Sequence, residues 1–261
     1  MDQRLPTALV PMFDCYLSRM DQRLPGFLSS FYVVGSIALD EFNPHFSDVD
    51  FVAAIRQPAR EDETQALKEI HREIERGYPR WKLEGMYLLE SQLGGTGLSL
   101  VYHDGLLKIH PPEPDPVTWW ILKNYGVPLL GSDPRDLPIN IDENILVAWT
   151  QENMNTYWKS WTRQPGRLIM LLTDWGIQWA ALGVARQFYT IREKGIISKR
   201  RAGDYALSAV PHQWHRIIHE AIRIRTRSGA PLYRSRLARG IAVVNFLKYI
   251  MRVSNDDLKG K

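Results

Sequence analysis

The sequence contains very little cysteine. Cys15 is the only cysteine among 261 residues, which excludes an internal disulfide framework and a cysteine-rich zinc module. Long apolar runs are also missing, so we expect no segment that spans a bilayer. The N-terminal segment that starts Met1-Asp2-Gln3-Arg4 lacks the apolar core that is typical of a secretory signal. These absences predict a cytoplasmic protein that does not associate with membranes.

The composition is that of a globular protein with an uneven charge distribution. Apolar residues make up 44% and charged residues 24%, which excludes wholesale disorder and collagen-like repeats. Residues 192–261 carry 16 Lys and Arg against 5 Asp and Glu, whereas residues 1–191 carry 17 against 24. The acidic part can attract cations and the basic part phosphates, although solvated surface charge explains both equally well.

Hydrophobic periodicity divides the chain into two regions of different secondary structure. In the first region, helices and strands alternate in an order that predicts an α+β fold around one small mixed sheet. The proline-rich segment 111–116 indicates a linker, with a domain boundary in it or soon after it. Beyond residue 142 the pattern is helical, with no convincing strand. We therefore predict one domain over residues 1–140 and an all-α helical bundle over residues 141–261.

The predicted elements have the following bounds. We expect helices at 7–24, 61–76 and 119–125 in the first region, with strands at 31–34, 49–55, 82–89, 98–102 and 106–109. We expect helices at 144–161, 167–192, 202–209, 213–227 and 232–251 in the second region.

The strongest chemical signal is Gly35-Ser36 followed, after eleven residues, by Asp48-Val49-Asp50. Residues i and i+2 of a strand point to the same face, so Asp48 and Asp50 can direct two carboxylates at one point. Hard oxygen ligands of this kind suit Mg²⁺ together with substrate phosphates. The Gly35-Ser36 turn lets backbone N–H groups and a hydroxyl approach a phosphate.

Glu84 provides a third carboxylate, in the predicted strand at 82–89. A lone acid in an otherwise apolar strand is costly to bury without a partner. Beside the two aspartates, Glu84 can bind a metal ion or accept a proton from an attacking hydroxyl. An Asp-x-Asp pair alone occurs often in surface loops, but the combination with Gly35-Ser36 and Glu84 is far more specific.

The combination resembles the nucleotidyltransferase superfamily that includes DNA polymerase β. In that superfamily, Gly-Ser and Asp-x-Asp on adjacent strands bind Mg·NTP, and a nucleoside monophosphate is attached to an acceptor with release of pyrophosphate. The resemblance implies that Asp48 and Asp50 bind one or two Mg²⁺ ions and that Gly35, Ser36 and Ser47 bind the nucleotide.

A closer resemblance is to the streptomycin/spectinomycin aminoglycoside adenylyltransferases. It rests on residues 35–55, on Leu83-Glu84, and on two helical segments, 184–189 and 198–205, so that it covers most of the chain. It implies that Glu84 is the catalytic base, that Arg186 and Lys199 contact the phosphates of ATP, and that the acceptor is a small cationic hydroxylated antibiotic. Antibiotic resistance is the role that this family suggests.

One departure concerns the acceptor. The family's acceptor-binding acid precedes the equivalent of Arg186 by ten residues, where this sequence has Gly176. Asp174 lies two residues away and is a possible substitute, and Tyr102 and Trp119 are candidates for the aromatic residue that stacks on the drug. Other acidic residues that a cationic acceptor could contact are Asp104, Glu113, Asp115 and Glu152.

Several alternatives stay open. The acceptor could be a macromolecule, RNA or protein, for which the basic C-terminal region is the only support, although we do not expect nucleic-acid binding. The chain could also be a non-catalytic nucleotide-binding or antitoxin-like module, against which the intact set of three carboxylates argues. A zinc site at His212, His215, His219 and Glu220 rests on spacing alone. The oligomeric state is not determined by the sequence, and a monomer is the default expectation.

Overall fold

The computed structural model describes residues 2–112 and 115–259. The chain divides into two compact units, the first of which ends at Ile141 and the second of which begins at Asp142. Among the described residues, no helix combines the length and the apolar character that crossing a bilayer requires.

The N-terminal unit is built around one six-stranded sheet. Its strands follow the order β5-β4-β3-β2-β1-β6. Only the β2–β3 pair is parallel, whereas the other four pairs are antiparallel. The strands are β1 (Leu28–Val33), β2 (Val49–Ile55), β3 (Leu83–Leu89), β4 (Ser99–His103), β5 (Leu106–His110) and β6 (Val127–Leu130). The predicted small mixed sheet is therefore confirmed.

Four helices accompany the sheet: α1 (Val10–Arg23), α2 (Gly35–Ala38), α3 (Glu61–Gly77) and α4 (Pro116–Tyr125). The long helix α3 makes the crossover between the parallel strands β2 and β3, as such a connection requires. The Glu63 carboxylate accepts from the Arg60 N–H at the start of α3, where an acid also complements the helix dipole. Buried aromatic rings fill the core between sheet and helices, with Phe31 stacked on Phe51 at 5.0 Å between ring centroids.

Two features of the N-terminal unit differ from the sequence prediction. The turn expected at Gly35-Ser36 is the beginning of the short helix α2. Strand β6 was not predicted, because Pro128 lies in it and proline donates no ladder hydrogen bond. The structure resolves this conflict by placing β6 at the edge of the sheet, where it pairs only with β1.

The C-terminal unit is helical throughout its described residues. Its helices are α5 (Glu143–Asn153), α6 (Pro165–Met170), α7 (Asp174–Glu193), α8 (Lys199–Ala209), α9 (His215–Thr226) and α10 (Arg236–Lys259). A π-helical turn, Met154–Trp158, continues α5. Helix α7 is the most deeply buried and packs against α5, α8, α9 and α10. The predicted all-α second region is confirmed.

The single helix predicted over residues 167–192 is wrong, because the chain breaks between α6 and α7. The Thr173 hydroxyl accepts from the Gly176 N–H at 3.0 Å and so caps a new helix. A β-carbon on Gly176 would lie 2.0 Å from the Met170 carbonyl oxygen. The close return of the chain at this break therefore needs a residue without a side chain.

A buried ionic network holds the C-terminal helices together. Glu220 in α9 is fully buried and accepts hydrogen bonds from Arg223, from Arg239 of α10, and from the Leu232 N–H. Arg239 also pairs with Asp174 at the start of α7, at 2.7 Å. Burial raises the pKa of Glu220, but the hydrogen bonds from Arg223, Leu232 and Arg239 outweigh it and hold the pKa below its ordinary value.

Candidate active site

The Gly-Ser and Asp-x-Asp segments meet at one edge of the sheet. Gly35 follows β1 with φ +62°, and a β-carbon there would lie 2.0 Å from Asp50 Oδ2. The Asp50 carboxylate therefore lies directly against the Gly35 backbone. The Val34 N–H donates to the Asp50 carbonyl oxygen at 2.9 Å, which links the end of β1 to β2 at this point.

The three predicted carboxylates come from two neighbouring parallel strands. Asp48 immediately precedes β2, and Asp50 is its second residue. Asp48 is exposed, Val49 is buried and Asp50 is half-buried, so the two aspartates share the accessible face. Glu84 is the register partner of Asp50 on β3. Because register partners of adjacent strands have their side chains on the same face, Asp48, Asp50 and Glu84 lie on one face of these two strands.

Glu84 is buried, and both of its carboxylate oxygens are hydrogen-bonded. His103 Nδ1 lies 2.6 Å from Oε2, and the Asp104 N–H donates to Oε1 at 3.1 Å. These partners satisfy the buried charge that the sequence left without an explanation. The pairing of His103 with Glu84 was not predicted from the sequence. The signal was present in the predicted hairpin, since a strand before residue 103 can place that residue across from Glu84.

A lysine closes the cluster on its outer side. Lys82 donates to Asp104 Oδ1 at 3.0 Å, and His103 Nε2 lies 3.3 Å from Asp104 Oδ2. The hydrogen bond from Lys82 holds the pKa of Asp104 below its ordinary value. The same bond, with the charges of Asp104, Glu84 and Asp48, raises the pKa of Lys82.

Two serines lie beside the carboxylates. The Ser36 hydroxyl is buried and has no hydrogen-bond partner among the described residues. The Ser47 hydroxyl accepts from the Asn43 N–H at 3.1 Å, inside the turn that leads into β2. A buried hydroxyl without a partner is costly, so Ser36 is suited to a ligand oxygen that would satisfy it.

The donor set fits a hard divalent cation. Asp48 and Asp50 supply carboxylate oxygens on one face, the kind of ligand that Mg²⁺ takes together with phosphates. Asp50 lies against Gly35, and the next residue, Ser36, has a hydroxyl without a partner among the described residues. A second group that can gather around a cation consists of Glu84, His103 and Asp104, whose ligand atoms lie within 4.8 Å of one another. The predicted zinc alternative at His212, His215, His219 and Glu220 does not form such a group among the described residues.

The two predicted phosphate-binding cations belong to the C-terminal unit. Arg186 is half-buried on α7, seven residues after Trp179, so both lie on one accessible strip of that helix. Lys199 begins α8, and its Nζ lies 3.6 Å from the centre of the Trp179 ring. Trp179 stacks in turn on Trp175 at 5.2 Å. The strip therefore combines cations with accessible aromatic faces.

The aromatic acceptor candidates are not on the accessible surface. Tyr102 is 1% exposed, its ring stacks on His71 at 3.7 Å, and its hydroxyl donates to Glu75. Trp119 is 4% exposed and donates to the Gly95 carbonyl oxygen. Both rings pack within the N-terminal unit, so neither is available to stack on an acceptor.

The acidic candidates have diverse surroundings. Asp174 is 63% exposed at its side chain but pairs with Arg239. Asp104 pairs with Lys82, Asp115 caps α4, and Glu152 is exposed on α5. Glu113 lies outside the described residues. None of these contacts identifies an acceptor, and the position of Gly176 cannot take a side chain without displacing Met170.

Comparison with known proteins identifies both units. Residues 16–83 match the family model "Nucleotidyltransferase domain", and residues 153–250 match "Aminoglycoside adenylyltransferase, C-terminal domain". Among curated protein sequences, none matches this chain significantly.

A solved structure shares the fold of the whole chain. It is spectinomycin adenyltransferase AAD(9) from Enterococcus faecialis, crystallised with ATP and spectinomycin. The TM-score is 0.69 over 92% of this chain and 99% of that one, at 16% sequence identity. This likeness shows a shared fold. The two family models, matched in this order along the chain, support an aminoglycoside adenylyltransferase-like nucleotidyltransferase and therefore an enzyme.

Proposed function

We propose that this enzyme transfers AMP from ATP to a hydroxyl of a small acceptor, with Mg²⁺, and releases pyrophosphate. The observation that carries the proposal is the register pairing of Asp50 with Glu84, with Asp48 two residues before Asp50 on the same face. This arrangement supports a metal-binding role for the two aspartates and a base role for Glu84 on the same face. We propose further that the nucleotidyltransferase domain spans residues 1–140 and the helical domain 141–261.

Asp48 and Asp50 would hold the Mg²⁺ of Mg·ATP. When bound, the ion neutralises triphosphate charge and favours departure of pyrophosphate. Gly35 allows the nucleotide to approach the backbone, and the unpartnered Ser36 hydroxyl donates to a phosphate oxygen. Ser47 orders the turn before Asp48 and is within the same segment. These residues position the α-phosphate, and positioning accounts for a large part of phosphoryl-transfer rates.

Glu84 acts as the general base. It takes the proton from the acceptor hydroxyl while that oxygen forms a bond to the α-phosphorus, and the bond from the α-phosphorus to the bridging oxygen of pyrophosphate breaks. Because both carboxylate oxygens are already hydrogen-bonded to fixed donors, the group is held in one orientation. A remaining lone pair accepts the proton.

Arg186 and Lys199 bind the negative charge of the triphosphate. Arginine can contact phosphate through two parallel hydrogen bonds, and lysine acts as a compact point charge. Lys199 is half-buried, and its ammonium lies on the Trp179 ring. That contact keeps the cation partly desolvated and ready to pair with a phosphate oxygen.

The acceptor that the comparisons favour is an aminoglycoside-type antibiotic such as spectinomycin or streptomycin. The C-terminal domain match and the AAD(9) structure with spectinomycin support this class. Asp174 remains a candidate contact for a cationic acceptor, as its side chain is largely accessible. Antibiotic resistance would then be the biological role, and the cytoplasm, where ATP is abundant, the predicted location.

The test is pyrophosphate release with Mg²⁺ and ATP across a panel of aminoglycosides that includes spectinomycin and streptomycin. We expect release to depend on one or more of these drugs and on the metal. Glu84→Gln should remove drug-dependent release by a factor of about 10² to 10⁴, with ATP binding by calorimetry nearly unchanged. Glu61→Gln, exposed at the start of α3, is the matched control and should leave release intact.

If none of the drugs stimulates pyrophosphate release but ATP still binds, these drugs are not the acceptors of the enzyme. RNA ends or a protein hydroxyl would then be tested as acceptors. Absence of Mg-dependent ATP binding would contradict the proposal altogether, and would favour a non-catalytic module.

A further inference from the structure

A histidine extends the row of functional side chains across a third strand. Gly85 of β3 pairs with Tyr102 of β4 in antiparallel register, so Glu84 and His103 are the next opposed residues. Asp50 is opposed to Glu84 on the other side. Asp50, Glu84 and His103 thus form one line across β2, β3 and β4 on the face of the sheet that carries the site.

The contact between His103 and Glu84 has a defined direction. The distance between His103 Nδ1 and Glu84 Oε2 is 2.6 Å, which is typical of a charge-assisted hydrogen bond. The proposed role of Glu84 as a base requires an ionised carboxylate, which only accepts hydrogen bonds, so in that role Nδ1 carries the hydrogen. The second oxygen of Glu84 is fixed by the Asp104 N–H. Rotation of the carboxylate would break one bond or both.

The two partners differ greatly in exposure. The Glu84 side chain is 11% exposed, whereas that of His103 is 65% exposed. The imidazole ring therefore contributes little to the core, and its polar contacts are with Glu84 through Nδ1 and with the exposed Asp104 through Nε2. A residue in this position can be replaced with little disturbance of the fold.

We propose that His103 is a positioning residue for the general base, holding the Glu84 carboxylate in the orientation that receives the acceptor's proton. This inference rests on the proposed function of Glu84. His103 donates its Nδ1–H to Oε2 throughout the reaction and contacts neither the nucleotide nor the acceptor. Its removal leaves the carboxylate with only the Asp104 N–H to fix it, so fewer bound complexes have the base correctly directed.

The decisive experiment compares two amide variants of His103. The amide nitrogen of asparagine occupies nearly the place of Nδ1, whereas that of glutamine corresponds to Nε2. We expect His103→Leu and His103→Gln to lower kcat by about 10- to 100-fold, which is the effect of one hydrogen bond to a charged group. We expect His103→Asn to recover most of kcat. KM for ATP should be unchanged in all three.

His110→Asn is the control, because His110 is exposed on the neighbouring strand β5 and has no place in the site. It should match the wild type. Unchanged kcat in His103→Leu would overturn the inference, and so would equal losses in His103→Asn and His103→Leu. A rise in KM for ATP with constant kcat would also overturn it, since that result would place His103 in nucleotide binding.

A second measurement needs no acceptor. The Nδ1–H proton of His103 should give a downfield NMR signal that disappears in Glu84→Gln and in His103→Gln. Its absence from the wild-type spectrum would overturn the inference even if no acceptor is found. If the proposed function is wrong, the wild-type enzyme itself releases no pyrophosphate. That result is distinguishable from a wrong role for His103.

Discussion

Gly35 and Asp50 are in direct contact, the backbone of the first against the carboxylate of the second. A β-carbon on Gly35 would lie 2.0 Å from Asp50 Oδ2 and 2.8 Å from its Cγ. The φ angle of +62° disfavours any other residue independently. One glycine thus satisfies two requirements at once: the turn after β1 and the space for the Asp50 carboxylate.

Gly35→Ala should therefore impair nucleotide binding and stability together. The left-handed backbone costs about 1–2 kcal/mol for a residue with a side chain, and the new methyl group displaces Asp50. We expect Mg·ATP binding by calorimetry to weaken at least about tenfold. Gly77→Ala is the control, since a β-carbon there meets nothing within 4 Å. Equal ATP affinity in both variants would contradict the role of this contact.

Asp50→Asn tests the metal site without a change of shape. The amide keeps the volume of the carboxylate but removes its charge, so the unfolding free energy should change little. Mg-dependent binding of ATP should be lost, because a neutral oxygen is a weak ligand for a hard cation. Calorimetry at several Mg²⁺ concentrations measures this. Binding that keeps its Mg²⁺ dependence would remove Asp50 from the metal site.

The sequence was sufficient to predict features that depend on a single strand. The alternation in Asp48-Val49-Asp50 follows from the period of two along a strand, and the structure has Val49 buried between the two aspartates. The contact of Glu84 with His103 depends on which strands are neighbours and on their register. Neither property is local, so the sequence singled out Glu84 but did not show its hydrogen-bond partner His103.

The same limit applies to the helical unit. Apolar periodicity ran through residues 167–192 and predicted one helix, whereas the chain bends between α6 and α7. The reason is local in part, since Thr173 is a good N-cap. The need for Gly176 is not local, because only the folded chain shows the Met170 carbonyl beside it. A glycine inside an apparent helix was the available signal.

Gly176→Ala should destabilise the C-terminal unit. Its β-carbon would lie 2.0 Å from the Met170 carbonyl oxygen, a backbone atom that can move only with the chain. We expect the unfolding free energy to fall by about 1–3 kcal/mol, as for other overpacked sites. Urea denaturation measures the loss. Gly166→Ala in α6, where a β-carbon meets nothing within 4 Å, should show none, and equal stability of the two variants would refute the clash.

Glu220 should make the stability of the protein depend on pH. Its pKa in the folded state lies below its ordinary value, since the hydrogen bonds from Arg223, Leu232 and Arg239 outweigh burial. The stabilisation is therefore complete above the pKa of Glu220 in the unfolded chain and is lost as the pH falls through the lower folded-state pKa.

The variant Glu220→Gln should reveal this dependence. At pH 7 we expect it to lower the unfolding free energy by about 3–5 kcal/mol, since it leaves Arg223 and Arg239 without their buried partner. The difference from the wild type should shrink as the pH is lowered toward 3. Urea denaturation at several pH values tests this, and a difference that is constant with pH would be inconsistent with the ionised Glu220 network.

The contact between Lys199 and Trp179 offers a direct signal of phosphate binding. The ammonium lies 3.6 Å from the centre of the indole ring, and a phosphate oxygen competes with the ring for the same charge. Binding of Mg·ATP should therefore change the fluorescence of Trp179, and Trp179→Phe should abolish that change.

Lys199→Gln should weaken ATP binding about tenfold or more and also remove the fluorescence change. Arg200→Gln, one residue further along α8, should retain both, because Arg200 pairs with Asp204 on the exposed side of the helix. A fluorescence change that survives in Lys199→Gln would mean that the lysine does not leave the ring for the nucleotide.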